Sequence, residues 1–372
     1  MLIGIPKEIK NAEYRVGAVP SSVREFVANG HRVMVQKGAG EKIGFHDALY
    51  QSAGAEIVES AEAIFKRADM IIKVKEPQPN ECKMLRENQV LFTYLHLAAD
   101  KTLAALLQQS GCIAIAYETV TNDQGGLPLL APMSEVAGRL SIQAGANSLE
   151  MIHGGRGMLL GGVPGVPPAN VLVLGGGMVG TNAVRIAMGM GANVVVMDKS
   201  QERLYQLDLR FGPAIKTIFS TIHAIEEYIQ TADLVIGAVL IPGASAPKLV
   251  SQSMLKTMLP GSVIVDVAID QGGCFETSKP TTHDHPTYVV DGIVHYCVTN
   301  MPGAVPRTST VALNNATLPF ALSLANDGYQ LAMLRNRHLL NGLNIAKGKI
   351  TYKAVADSLN QLYTPAEEIL GE

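Results

Sequence analysis

Gly175, Gly177 and Gly180 fall in VLVLGGGMVG at the spacing GxGxxG, directly after a run of apolar β-forming residues. Each glycine then has its own physical task. The first permits a tight turn, the second lets a pyrophosphate approach the backbone, and the third lets a helix pack closely on the strand. The following TNAVRIAMGMGA reads as a helix, whose N-terminal N–H groups and positive dipole end face such a phosphate. A second apolar run, NVVVMD, ends in Asp198, at about the 20-residue distance where an acid reads a ribose 2′-hydroxyl and repels a 2′-phosphate. The chemistry indicated is dinucleotide binding, NAD in preference to NADP. Lys199 and Arg203 argue the other way, since a cation there could accept a 2′-phosphate. The plain alternative is a strand-to-helix turn without a ligand, because 36 glycines make chance matches common.

Elsewhere the candidates are ionisable groups near strand ends. DMIIKVKEP places Lys73 and Lys75 two apart, hence on one face of a strand that Pro77 terminates. VLFTYLHLAAD puts His96 at the carboxyl end of the next strand, and GSVIVDVAID ends another in Asp270, ahead of Gln271, Gly272 and Gly273. Ligands of open α/β sheets collect beyond such ends. Arg15, in NAEYRVGAVP, lies in a loop. Each has an ordinary reading as well: strand-end lysines and loop arginines are usually solvated, and one histidine beside Leu97 is more often structural. Together, the cations of this half suit a small carboxylate, held bidentately by a guanidinium and as a point charge by an ammonium.

The elements that position these groups alternate. LIGIP, HRVMVQ, DMIIKVK, VLFTYL and CIAIAYETV read as strands, with SSVREFVAN, DALYQSAG, SAEAIFKRA and ADKTLAALLQQSG as helices between them. This predicts a parallel sheet covered by helices, and without a glycine fingerprint it should bind something other than a dinucleotide. Residues 134–152 read as one long helix opened by Ser134 as N-cap, bridging to the glycine- and proline-rich loop 154–170. Beyond Asp198, TADLVIGAVL, GSVIVDVAID and YVVDGIVHYCV extend the dinucleotide-binding sheet. NMPGAVPRTST is a second crossing, followed by a helical run, and the tail packs back onto the N-terminal half. The expected domains are 1–130 with 306–372, and an inserted 131–305, with a cleft between the lobes.

A 372-residue chain suits two domains, and 47% hydrophobic against 17% charged residues describes an ordered globular protein. A net charge of −3 without basic clusters argues against nucleic acid. No apolar run reaches the roughly 18 residues of a membrane span, MLIGIPKEIK lacks a secretory h-region, and a cytoplasmic location is expected. Cys82, Cys112, Cys274 and Cys297 form no CxxC pair, so reduced thiols are expected in place of a zinc site or disulfides.

Several longer motifs carry a family resemblance: GIPKEIKNAEYRV, KVKEP, TYLHLAAD, AYETV, LPLLAPMSEVAGR, GGRGMLLGGVPGV, VLGGGMVG, ADLVIGAVL, VDVAIDQGGCFE, PTTHDHP and NMPGAVPRTS. From end to end the chain resembles the family shared by alanine dehydrogenase and the α subunit of pyridine nucleotide transhydrogenase. The resemblance implies an α/β fold of two Rossmann-like, doubly wound domains joined by long interdomain helices. It implies NAD-dependent, reversible oxidative deamination of L-alanine to pyruvate and ammonium by a homo-oligomer, a hexamer. By matching motif, Arg15 and Lys75 hold the substrate carboxylate, His96 and Asp270 handle protons, and Met133 and Asn300 flank the reacting centre. For the cofactor it implies Ser134, Met178 and Val179 beside the glycines, then Asp198 with Arg203 close by. It adds Ser220, Val239 and Leu240, the strand end Val267, Ala268, Ile269 and Asp270, then Lys279, and Val298, Thr299, Asn300 and Met301. The pattern leaves a metal contact open for Glu118 and Asp327, but two separated acids are usually surface groups, and no metal is expected. A competing expectation is a transhydrogenase-like NAD(H)-binding subunit without substrate chemistry of its own. A third is an NAD-sensing or structural oligomer.

Overall fold

The computed structural model describes residues 1–239 and 246–371. They form two compact units, Met1–Pro132 with Val305–Glu372, and Met133–Ala304. The first unit opens with Leu2–Ile5 (β1), Arg32–Gln36 (β2), Glu56–Val58 (β3), Met70–Ile72 (β4), Val90–Thr93 (β5) and Ile113–Ala116 (β6). The second holds Asn170–Leu174 (β7), Asn193–Asp198 (β8), Lys216–Phe219 (β9), Leu234–Gly237 (β10), Val263–Asp266 (β11), Thr287–Val290 (β12) and Ile293–Tyr296 (β13). The chain then returns to the first sheet with Leu343–Ala346 (β14) and Lys349–Ile350 (β15).

The sheet orders are β15-β14-β6-β5-β4-β1-β2-β3 and β12-β13-β11-β10-β7-β8-β9. Pairing is parallel except where β14, β15 and β12 join at the edges. Strands β4, β5, β6, β10 and β11 are buried at every residue, because helices cover both faces and leave no solvent side to alternate with. Ile64, Phe65, Ile71, Leu91 and Leu107 belong to the core of one unit, and Leu172, Val235, Ile264 and Phe275 to that of the other. Each such side chain contributes about 1.5–3 kcal/mol on burial. In both sheets the strand order reverses beside the first strand, at β1/β4 and at β7/β10, the switch points where α/β sheets open a crevice for ligands. The fold is therefore α/β with two Rossmann-like sheets.

Several elements differ from the sequence reading. DMIIKVK stops being strand at Ile72, so Lys73 and Lys75 do not share a strand face. The long helix is Ala131–Ser148, which leaves Ser134 inside it and not at its cap. YVVDGIVHYCV is a hairpin, β12 and β13, turning on Asp291 and Gly292 with φ of 49° and 79°. The Asp-Gly pair is a known hairpin signal that the apolar flanks obscured. The helix after the second crossing runs Pro306–Arg335, broken at Gly328, where φ is 74° and ψ 159°.

Candidate functional site

In the first unit the loop after β1 and the ends of β4 and β5 concentrate charge out of water. Arg15 is only 2% exposed, and its Nε and Nη2 donate to Glu13 Oε1 and Oε2 at 2.7 and 2.6 Å. Burial opposes ionisation of Glu13, but the hydrogen bonds and charge of Arg15 outweigh it and hold its pKa below the usual carboxylate value. Lys73 is fully buried, with Nζ donating to Glu8 at 3.0 Å and Glu81 at 2.9 Å, a charge triad that closes on itself. Lys73 is therefore structural.

Lys75 differs. It is half-buried, and among the described residues no carboxylate lies within ion-pair distance of its ammonium. Burial first, and then repulsion by Arg15, push its pKa below the ordinary lysine value. Tyr94, which also senses the charge of Arg15, stacks on His96 with ring centroids 5.8 Å apart and planes 5° from parallel. Arg15, Lys75 and His96 lie in the same unit, with Tyr94 near Arg15 and stacked on His96. His96 lies just beyond β5 with an exposed side chain and a left-handed backbone, φ 51° and ψ 39°. Glu118 accepts hydrogen bonds from the backbone N–H groups of Leu95 and His96, and Asp327 pairs with Arg335 at 3.0 Å. Among the described residues no three His, Cys, Asp or Glu side chains are grouped to hold a metal ion.

In the second unit the glycines behave as their spacing predicts. Gly175 has φ 99°, and a Cβ on Gly180 would collide with the Gly175 carbonyl oxygen. A Cβ on Gly177 would meet nothing within 4 Å, so space stands open at the N-terminus of the helix Met178–Gly189, where Met178 is exposed and Val179 half-buried. Asp198 ends β8 and accepts from Gly176 N at 2.7 Å and Ser200 N at 2.8 Å, and Ser220 N bonds its carbonyl. Arg203 bends back onto the same loop, donating from Nε to the Gly176 carbonyl and from Nη2 to Thr181 Oγ1 at 2.7 Å. An arginine spent on bracing the loop is poorly placed to receive a 2′-phosphate. These residues fit a dinucleotide pyrophosphate and a ribose diol.

Strand β11 ends at Asp266, not at Asp270, and Asp270 is exposed on the short turn Val267–Gln271. The buried carboxylate of Asp266 accepts from Ala268 N at 3.1 Å, Cys274 N at 2.9 Å and Ser278 Oγ at 2.5 Å. Lys248 Nζ donates to the carbonyls of Gly272, Gly273 and Phe275. The turn bearing Asp270, with Val267, Ala268 and Ile269, is thereby held from two sides. Lys279 N bonds the Tyr288 hydroxyl, and Thr281 pairs with Val298, which brings the segment Val298–Met301 to the same edge. There Asn300 is left-handed at φ 56° and Met301 is buried. Met133 is buried early in the helix Ala131–Ser148, with Ser134 half-buried beside it, and Val239 follows β10. Leu240 lies outside the described residues.

Glu13, Glu8, Glu81, Tyr94, Asp266 and Lys248 went unnoticed in the sequence. Glu13 alone carried a signal, an acid two positions from Arg15; the others declare themselves only through contacts.

Residues 4–137 match the family described as Alanine dehydrogenase/PNT, N-terminal domain, and residues 141–353 match Alanine dehydrogenase/PNT, C-terminal domain. The chain belongs to the alanine dehydrogenase/PNT family. Within it, the chain is 58% identical to the alanine dehydrogenase of Halomonas elongata over 371 residues, 100% of each sequence. A solved L-alanine dehydrogenase superposes with a TM-score of 0.94 at 52% identity, covering 97% of this chain and 99% of the other. A transhydrogenase from Sinorhizobium meliloti shares the fold, with a TM-score of 0.82 at 24% identity over 95% and 100% of the two chains. The chain is an oxidoreductase by family, and no helix among its described residues is long and apolar enough to cross a membrane.

Proposed function

We propose that the chain is an NAD-dependent L-alanine dehydrogenase, interconverting L-alanine with pyruvate and ammonium. The observation that carries this reading is the half-buried Lys75 ammonium, set near Arg15 with no carboxylate among the described residues within ion-pair distance. A substrate carboxylate supplies the missing charge, with Arg15 orienting it and Lys75 completing the neutralisation. The alternative, a nucleotide-binding subunit without substrate chemistry, has no use for this arrangement.

In this reading 1–130 with 306–372 is the substrate domain and 131–305 the NAD domain. NAD, when bound, supplies the hydride acceptor. Gly175, Gly177 and Gly180 leave room for its pyrophosphate, Asp198 takes the ribose diol, and Lys279 and Val298–Met301 face the nicotinamide end. His96 accepts the proton that the substrate amine sheds as Cα gives up hydride, and returns protons in the reverse direction. Asp270 orients the amine or the water that hydrolyses the imine, and Met133 and Asn300 shape the space around Cα. Purified protein given L-alanine and NAD⁺ at mildly alkaline pH forms NADH, followed by its absorbance; no NADH would sink the reading.

The same reading includes a homo-oligomer, a hexamer by family resemblance. The exposed side chains of Met151, Ile152, Leu159, Val163 and Val166, close together in sequence, support it. Sedimentation tests this, and a monomer at micromolar concentration overturns it. Four buried, unpaired cysteines accord with a reducing, cytoplasmic compartment.

A further inference from the structure

His96 occupies a backbone conformation that L side chains avoid, at a cost of about 1–3 kcal/mol, and such strain persists only where neighbours enforce it. The enforcing group is Glu118. Its Oε1 accepts the His96 N–H at 2.6 Å, and its two oxygens accept the Leu95 N–H at 3.2 and 3.3 Å. The same Oε1 stands 3.8 Å from His96 Nδ1, so the anionic carboxylate faces one nitrogen of the ring. Tyr94 covers one face of that ring by stacking.

Glu118 is itself held firmly. It sits on the turn Tyr117–Thr119 after β6, only 13% exposed at the side chain. Tyr117 donates its hydroxyl to the Lys73 carbonyl at 3.0 Å, and Asn344 of β14 donates to Thr119 Oγ1 at 2.8 Å. Every backbone contact of the carboxylate goes to the turn that presents the histidine.

We propose that Glu118 is a positioning residue for His96. Its carboxylate locks the left-handed turn and sits opposite Nδ1, so that Nε2 is the nitrogen presented to the substrate. An anion facing Nδ1 also favours the tautomer with its proton there, which leaves Nε2 free to accept one. The inference rests on the proton-transfer role given to His96 above.

Glu118→Gln keeps an acceptor oxygen for the backbone N–H groups and loses the charge beside Nδ1. Glu118→Leu loses both. We expect kcat for alanine to fall roughly tenfold in the first and at least about 100-fold in the second, within the range of general acid–base contributions. NADH affinity, read by fluorescence titration, stays within about twofold in both. In a His96→Asn background, itself slowed by about 10²–10⁴-fold, neither substitution lowers kcat further, because a group that acts only through His96 has nothing left to position.

Equal losses in the two backgrounds overturn the proposal, as does wild-type kcat in Glu118→Leu while His96→Asn is impaired. Wild-type kcat in His96→Asn overturns the proton-transfer reading instead. Should Glu118→Leu fail to fold, Glu118→Gln alone and in the His96→Asn background decides the question.

Discussion

The loop after β1 and the loop after β7 leave corresponding ends of parallel strands at the two switch points, yet one is filled with buried charge and the other is stripped of side chains. After β7 it is backbone that is exposed: Gly177 leaves space open at the N-terminus of the helix Met178–Gly189. After β1, Arg15 pairs with Glu13 and Lys73 with Glu8, whereas no carboxylate among the described residues lies within ion-pair distance of Lys75. The difference follows from ligand size. A pyrophosphate is long enough to be cradled by many weak dipoles, whereas a three-carbon acid offers one carboxylate and must be gripped by full charges. Full charges inside a protein need counter-ions, and Glu13, Glu8 and Glu81 supply them here.

The sharpest way to break this comparison is to remove a charge from the first loop. Arg15→Met removes the guanidinium that holds the buried Glu13 carboxylate, which costs about 3–5 kcal/mol of stability. With the carboxylate role proposed for Arg15, kcat/KM for alanine is expected to fall by about 10²–10⁴-fold. NADH binding holds. Urea denaturation and steady-state kinetics read the two effects, and the double replacement Glu13→Gln with Arg15→Met restores stability without activity. An unchanged KM for alanine in Arg15→Met would remove the carboxylate role.

The second loop breaks in the opposite way, by adding atoms. Gly180→Ala drives a methyl into the Gly175 carbonyl, an overpacking cost of about 1–3 kcal/mol, visible as a lower melting temperature. Gly177→Ala meets nothing within 4 Å of the new carbon, so the melting temperature holds and NADH affinity alone falls, about tenfold. Equal effects on stability would show that the open space at Gly177 is not a ligand's.

A smaller effect is expected at the rim of the same loop. Asp198→Ala removes the acid to which the proposed function assigns the ribose and also frees the N–H groups of Gly176 and Ser200. The preference for NAD⁺ over NADP⁺ should drop roughly tenfold in kcat/KM, about 1.4 kcal/mol. Since Arg203 is occupied by Gly176 and Thr181, the exposed Lys199 is the cation left beside Asp198 to meet a 2′-phosphate, and the preference should not invert. An unaltered ratio would mean that another group reads the ribose.

These two loops were not equally readable in the sequence. The glycine loop depends on where side chains are missing, a local property, so Gly175, Gly177, Gly180 and Asp198 stood out by spacing alone. Alternating apolar runs likewise exposed most strands of both sheets. The charged loop depends on partners far apart in sequence: Glu8 with Lys73 and Glu81, and Glu118 with His96. Nothing local marks Lys73 as structural and Lys75 as available, because their difference lies in which carboxylates fold onto them. Strands β3 and β9 carry exposed and half-buried residues in place of a continuous buried run, and with the edge strands β14 and β15 they offered no apolar pattern that stood out. Asp270 drew notice as the end of an apolar run although it lies on the turn beyond β11, and Arg15, in a loop, had no periodic pattern to mark it and gained weight only from the family motif.

The smallest effect bears on Lys75 and concerns pH. Burial and the charge of Arg15 lower its pKa, so the ammonium is lost below the ordinary lysine range as pH rises. Its charge therefore disappears as pH climbs through the lowered value, before an ordinary lysine would lose its proton. Propionate has the substrate's length and no amine to titrate, so its inhibition constant against alanine isolates this event. That constant should rise severalfold over the alkaline window in the wild type and stay flat in Lys75→Arg, whose guanidinium keeps its proton. Stability has the opposite sign. In the window between the lowered native pKa and the ordinary value, the unfolded chain binds more protons than the folded one, so the Lys75 contribution to stability rises with pH. Lys75→Met should accordingly raise the melting temperature at neutral pH while weakening propionate about tenfold. A melting temperature that falls instead would mean that Lys75 has a stabilising partner and is no cation waiting for a substrate.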